Sequence, residues 1–155
     1  MSATATSHDG PPLEFTERLP RSLRAPVLWG VAFGIFQALS PIGFWWLNQD
    51  LVWATTLAII ASVYVGFAVA DGRSSVIAVE VGVASVFIIL ATAAIGASAW
   101  LVVGGLVGHG LKDLWQHRTH FVANTRWWPP FCLAVDFVAA SVIAALLIAG
   151  VDFNA

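Results

Sequence analysis

The chain has 155 residues, 59% hydrophobic and only 10% charged, with a mean hydropathy of +0.83. Soluble domains carry roughly a quarter charged residues, so this composition excludes an ordinary globular fold and points to an integral membrane protein. The net charge of −2 gives no basis for binding nucleic acid, and a single cysteine cannot form an intrachain disulfide.

Residues 1–25 are polar and proline-containing and read as a flexible cytoplasmic tail, with a short interfacial helix around 13–23 as the alternative. The apolar run that follows is too long for a signal-peptide core, and no small-residue cleavage site follows it. Residues 26–155 read as one transmembrane domain. Its first span is expected near 26–47, opened by Pro26. Gly30 and Gly34 stand there in GxxxG spacing, which lets a neighbouring helix come close, and Pro41 and Gly43 should kink the far end.

Asn48-Gln49-Asp50 makes a turn into a second span at 51–70. Asp71-Gly72-Arg73 makes another, after which Ser74 or Ser75 can cap a helix. From 76 to 108 the only charged residue is Glu80. One helix of that length would measure about 48 Å, beyond the hydrocarbon thickness. The run therefore divides into spans at 76–95 and 99–117, joined by a tight turn at 96–98. Gly104, Gly105 and Gly108 are expected to permit close packing. A fifth span, 129–151, starts at the Pro129-Pro130 pair.

With five spans, all seven lysines and arginines fall on one side of the membrane. The positive-inside rule makes that side cytoplasmic, with the N-terminus inside and the C-terminus outside. The expected location is the plasma (cytoplasmic) membrane, multi-pass. The tryptophans form belts, with Trp29, Trp115, Trp127 and Trp128 inside and Trp45, Trp46, Trp53 and Trp100 outside.

The chemistry concentrates between His109 and Asp136. On a helix, His109, Asp113, Gln116, His117 and His120 fall within about a third of the circumference, with Lys112 and Arg118 outside that arc and free to reach headgroups. Asp136 comes about two turns into the fifth span, with Cys132 one turn earlier, and Glu80 lies more than one turn into the third. Three helices thus bring acids and histidines to one depth, a little inside the inner interface. Ionised groups within a span are costly, so such residues face the bundle and pair. His109, Asp113, His117 and Asp136 are candidate ligands for zinc, iron or manganese. Glu80, His109, Asp113 and Asp136 are candidate acids and bases. Gln37, Tyr64 and Cys132 are candidates for lining the same cavity. The bland alternatives are solvated His117 and His120, a plain His109–Asp113 hydrogen bond, and Cys132 as packing.

The pattern resembles a family of small, functionally uncharacterised bacterial integral membrane proteins. In that family a His-x3-Asp-x3-His stripe precedes Cys-x3-Asp in the next span. His109, Asp113, His117, Cys132 and Asp136 match it. Gln116 and Arg118 stand where that family tends to pair adjacent histidines. The resemblance implies a site on the fourth and fifth spans and no particular activity.

The expected fold is all-α, a bundle of five transmembrane helices in contact with the lipid bilayer, with homo-oligomers open. The leading functional expectation is an intramembrane enzyme acting on a lipophilic small molecule, either a metal-assisted hydrolase or an acid/base isomerase or cyclase. A proton- or cation-coupled transporter or channel subunit, and a structural or assembly protein, are the alternatives.

Overall fold

A computed structural model describes residues 21–123 and 125–153, so the expected polar tail up to residue 20 lies outside the described residues. Among the described residues all regular structure is helical, in the order α1 (Arg21–Ala38), α2 (Ser40–Gly43), α3 (Gln49–Asp71), α4 (Ser74–Ala97), α5 (Trp100–Thr119) and α6 (Trp128–Ile148). Three of these, α3, α4 and α6, are long and apolar enough to cross a membrane. Helices α1 and α5 do not meet that measure. The arginines at the start of α1 and the ionisable stripe of α5 dilute their apolar character.

The expected first span differs most from what forms. Helix α1 begins five residues before Pro26, which sits inside it. It ends at Ala38 because Leu39 leaves helical geometry (φ −92°, ψ 0°) ahead of the one-turn α2, whose Pro41 is in its first turn. The kink expected from Pro41 is thus a break. The indole N–H of buried Trp53 donates to the Ala38 carbonyl at 2.9 Å and satisfies one of the acceptors exposed there. Trp53 is therefore a core residue and leaves the outer belt. The other three tryptophans expected at that end are exposed, as are Trp29, Trp115 and Trp127 at the other, while Trp128 is half-buried.

Capping closes the remaining helices. The Asn48 side chain accepts from the Asp50 and Leu51 N–H groups to start α3, and left-handed Gly72 ends it. Arg73, not a serine, occupies the N-cap of α4, and no side chain caps it. His120 ends α5 in the left-handed region (φ 51°), so it terminates the stripe and does not extend it.

The bundle is assembled by small residues. Helix α1 lies along α6, α6 along α5, and α3 along α4, while α4 and α3 both reach α5. Buried alanines of α3, α4 and α6 form much of the core, while Leu28, Phe36, Ile59, Val86, Ile89 and Ile148 face outward, the arrangement lipid surroundings favour. The GxxxG pair meets α6. A Cβ on Gly34 would fall 2.7 Å from the Val135 carbonyl oxygen and 3.0 Å from Val138 Cβ. Gly34→Ala must therefore push α6 away, at an expected cost of about 1–3 kcal/mol. Gly82→Ala in α4, where nothing lies within 4 Å, should be neutral or slightly stabilising. Thermal unfolding of the two variants in detergent checks the contrast. On α5 the close approaches are Gly105, against Leu57, and Gly110, against the Phe137 ring and Asp136 Cβ. Gly104 faces open space, contrary to expectation, and Gly110 was not anticipated.

Asp71 does more than turn the chain. Its carboxylate accepts from Arg73 at 2.6 and 2.7 Å and from the Ala123 N–H at 2.8 Å, and Arg73 also donates to the Phe121 carbonyl. The α3–α4 turn thereby pins the α5–α6 loop. We refer to this end, which carries Arg73, Arg118 and Arg126, as the basic end. Asp71→Ala should speed amide exchange at Ala123 and its neighbours while leaving exchange in the α3 and α6 cores slow.

Candidate functional site

A helix three or four residues apart shows the same face, which is why α5 directs His109, Asp113 and Gln116 into the bundle together. All three are buried, as are Glu80 of α4, Asp136 of α6 and Tyr64 of α3. Close packing at Gly110 brings α5 and α6 near enough for their side chains to meet: His109 Nδ1 lies 2.8 Å from Asp136 Oδ2 and 3.6 Å from Asp113 Oδ2. The shorter distance is that of an N–H donating to a carboxylate. The Phe87 ring stands edge-on to the imidazole at 5.1 Å, fixing its plane.

Cys132 joins this group. Taking one donor atom from each of His109, Asp113, Cys132 and Asp136, all four lie within 4.8 Å of one another. Ligands around a tetrahedral zinc stand ~3.4 Å apart, so small side-chain movements would close the set on an ion. His109 Nε2, both Asp113 oxygens and Asp136 Oδ1 are buried without a hydrogen-bond partner. Unpaired acceptors so concentrated are costly unless something else meets them.

Beside this group lies an ion pair. Lys112 Nζ donates to Glu80 Oε2 at 2.7 Å and sits 3.2 Å from the centroid of the Tyr64 ring. Lys112 thus turns inward and does not reach for headgroups. Its tetramethylene stem lets the ammonium cover the offset between its own position on α5 and that of Glu80 on α4. The Tyr64 hydroxyl faces the Asp113 carboxylate, outside strict hydrogen-bonding geometry.

The expected residues divide accordingly. His109, Asp113, Asp136 and Cys132 come together, with Glu80 and Tyr64 beside them. His117 does not join: it is half-buried and packs its ring 6.3 Å from that of His120. Gln37 does not line this cavity either. It is buried near the far end of α1, among Phe36, Ser40 and Thr56. Gln116, one turn below Asp113, continues the buried polar seam toward the basic end with both amide atoms unpaired.

Asp136 lies roughly 12 Å along α6 from its basic end and His109 roughly 15 Å along α5, at 1.5 Å per residue, so the group sits near the middle of both helices. Periodicity does not single out Lys112 or Phe87, yet Lys112 carries a signal: it and Glu80 lie seven and six residues from the basic ends of α5 and α4.

Comparison of the chain with family models, with curated proteins and with solved structures gives no match.

Proposed function

We propose that this protein is an intramembrane enzyme that binds a divalent metal through three of His109, Asp113, Cys132 and Asp136, leaving one coordination position for water, and hydrolyses a lipophilic substrate. The observation that carries the reading is the convergence of four ligand-type side chains in a buried place, three of them with unpaired ligand atoms. Charge supports it. Glu80 and Lys112 neutralise each other, which leaves two buried carboxylates whose charge a divalent cation offsets, with the Cys132 thiol adding a third negative charge if it ionises to ligate. The mixed nitrogen, oxygen and sulfur donor set suits zinc, with iron and manganese as the other candidates. A bound metal would supply Lewis-acid polarisation of a carbonyl or a nucleophilic hydroxide. The chain's own part is to hold the ion, with His109 oriented by Asp136 and Phe87, and to keep the Lys112 ammonium where developing negative charge can be met.

In this reading α1 and α5 also cross the bilayer, for five spans in the plasma membrane. The basic end faces the cytoplasm, where Arg73, Arg118 and Arg126 satisfy the positive-inside rule.

Metal analysis of detergent-purified protein never exposed to chelator tests the proposal. Stoichiometric metal is expected in the wild type and in His117→Ala, and its loss in His109→Ala. A metal-free wild type would sink it. The second reading places a proton on each of Asp113 and Asp136 in place of the cation, giving acid/base catalysis or proton-coupled transport. The buried Gln116 seam favours it as a route from the basic end. It predicts a metal-free protein whose lipid conversion or proteoliposome proton flux collapses in Asp113→Asn.

A further inference from the structure

Helices α1 and α3 touch at few points, and the space between them is a groove with two compartments. Phe33 of α1 and Ile59 and Ile60 of α3 line both. One compartment, about 190 Å³, runs toward Phe44 at the end opposite the basic end. The other, about 250 Å³, runs over α6 to Cys132 and Trp128. Cys132 therefore belongs both to this groove and to the polar group. Its neighbours within the second compartment are all apolar.

We infer that this groove holds a single linear hydrocarbon chain of the substrate, entering sideways from the bilayer between α1 and α3, with the reactive bond at the Cys132 end. This rests on the proposed enzymatic reading for the identity of the chain as substrate. Three observations carry it. The groove touches the polar group at Cys132, while His109, Asp113 and Asp136 line neither compartment. Each compartment is smaller than the roughly 300 Å³ at which sites for compact small molecules begin. Only a flexible chain that threads past Phe33 and Ile60 fills both, which excludes a rigid fused-ring lipid. Finally, the Trp128 ring lines the second compartment, and its buried indole N–H lies without an acceptor one helical turn from Cys132. A substrate oxygen at the Cys132 end would supply the acceptor it lacks. The substrate class is thus a lipid whose cleavable bond joins one long acyl or alkyl chain to a polar head on the basic side.

The test uses the full chain in detergent micelles and a lysophospholipid with a diazirine in its acyl chain, with labelled sites mapped by peptide mass spectrometry. Label should concentrate on α1 and α3 residues of the groove. Ile59→Trp, at an exposed position on the groove mouth, should lower it several-fold without changing metal content or thermal unfolding. Trp128→Phe keeps the ring but removes the N–H, and should weaken half-saturation of labelling several-fold. Labelling spread equally over Val86 and Ile89 of the lipid-facing side of α4, or unmoved by Ile59→Trp, would overturn the inference. Should Ile59→Trp unfold, Ile60→Phe gives the same readout from the groove wall. Groove labelling in a metal-free wild type would refute the metal reading while leaving the groove standing. A metal-loaded protein without groove labelling would do the reverse.

Discussion

Lys112→Met should destabilise the bundle by about 3–5 kcal/mol, the usual cost of leaving one member of a buried ion pair without its partner. Glu80 is almost wholly inaccessible and Lys112 only 12% exposed, so water cannot replace the lost ammonium. The other carboxylate oxygen of Glu80 is already unpaired, which leaves the residue no second donor to fall back on. Methionine conserves the stem that packs on Tyr64 and removes only the charge and its cation–π contact. The measurement is thermal or denaturant unfolding in detergent. The double variant Glu80→Gln, Lys112→Met should recover most of the loss, since replacing both charges removes the desolvation penalty along with the attraction. Equal loss in the single and double variants would mean that the contact with Tyr64, and not charge compensation, sets the stability.

This pair also marks where the sequence was readable and where it was not. Helices α3 to α6 follow the apolar runs to within about three residues at each end, because bilayer-length apolar segments bounded by Gly, Asn or Pro leave few alternatives. The start of α1 is not legible from Pro26, because the helix begins five residues upstream and carries the proline in its second turn, where it forgoes the bond to the Ser22 carbonyl. The site was legible as a face of α5, since periodicity places His109 and Asp113 together without reference to the rest of the fold. Periodicity could not reveal which side chains reach across. Lys112 lies off that face, yet a long flexible stem takes its charge to Glu80. His117 lies on the face, yet the helix ends soon after it, where α6 no longer supplies partners. Polarity alone points Gln37 to the cavity, but the break at Leu39 holds it at the far end. The close contact of α5 with α6 depends on Gly110, a residue whose role is visible only once the partner helix is known.

Asp136→Asn separates the metal-binding reading from a purely structural one, because it should act on metal affinity and on apo stability with opposite signs. The asparagine carbonyl can still accept from His109 Nδ1, so the shape of the contact survives. One of the two uncompensated carboxylate charges is gone, and with it half of the attraction for a divalent cation. Metal affinity should fall at least about 100-fold, the upper end of what losing an outer partner alone costs. The apo protein should become more stable, on the order of 1–3 kcal/mol, because a neutral amide is cheaper to bury than an unpaired carboxylate. Asp136→Ala loses the metal as well but leaves the imidazole N–H without an acceptor, which costs about 1–3 kcal/mol, so its apo form should not share the gain. Equilibrium dialysis with zinc and unfolding with and without chelator measure both quantities. If the group only locks α5 to α6, the wild type carries no metal and both variants lower stability. If it binds a cation, the wild type without metal is the strained state, and stability lost through Asp113 and Asp136 is what the ion restores.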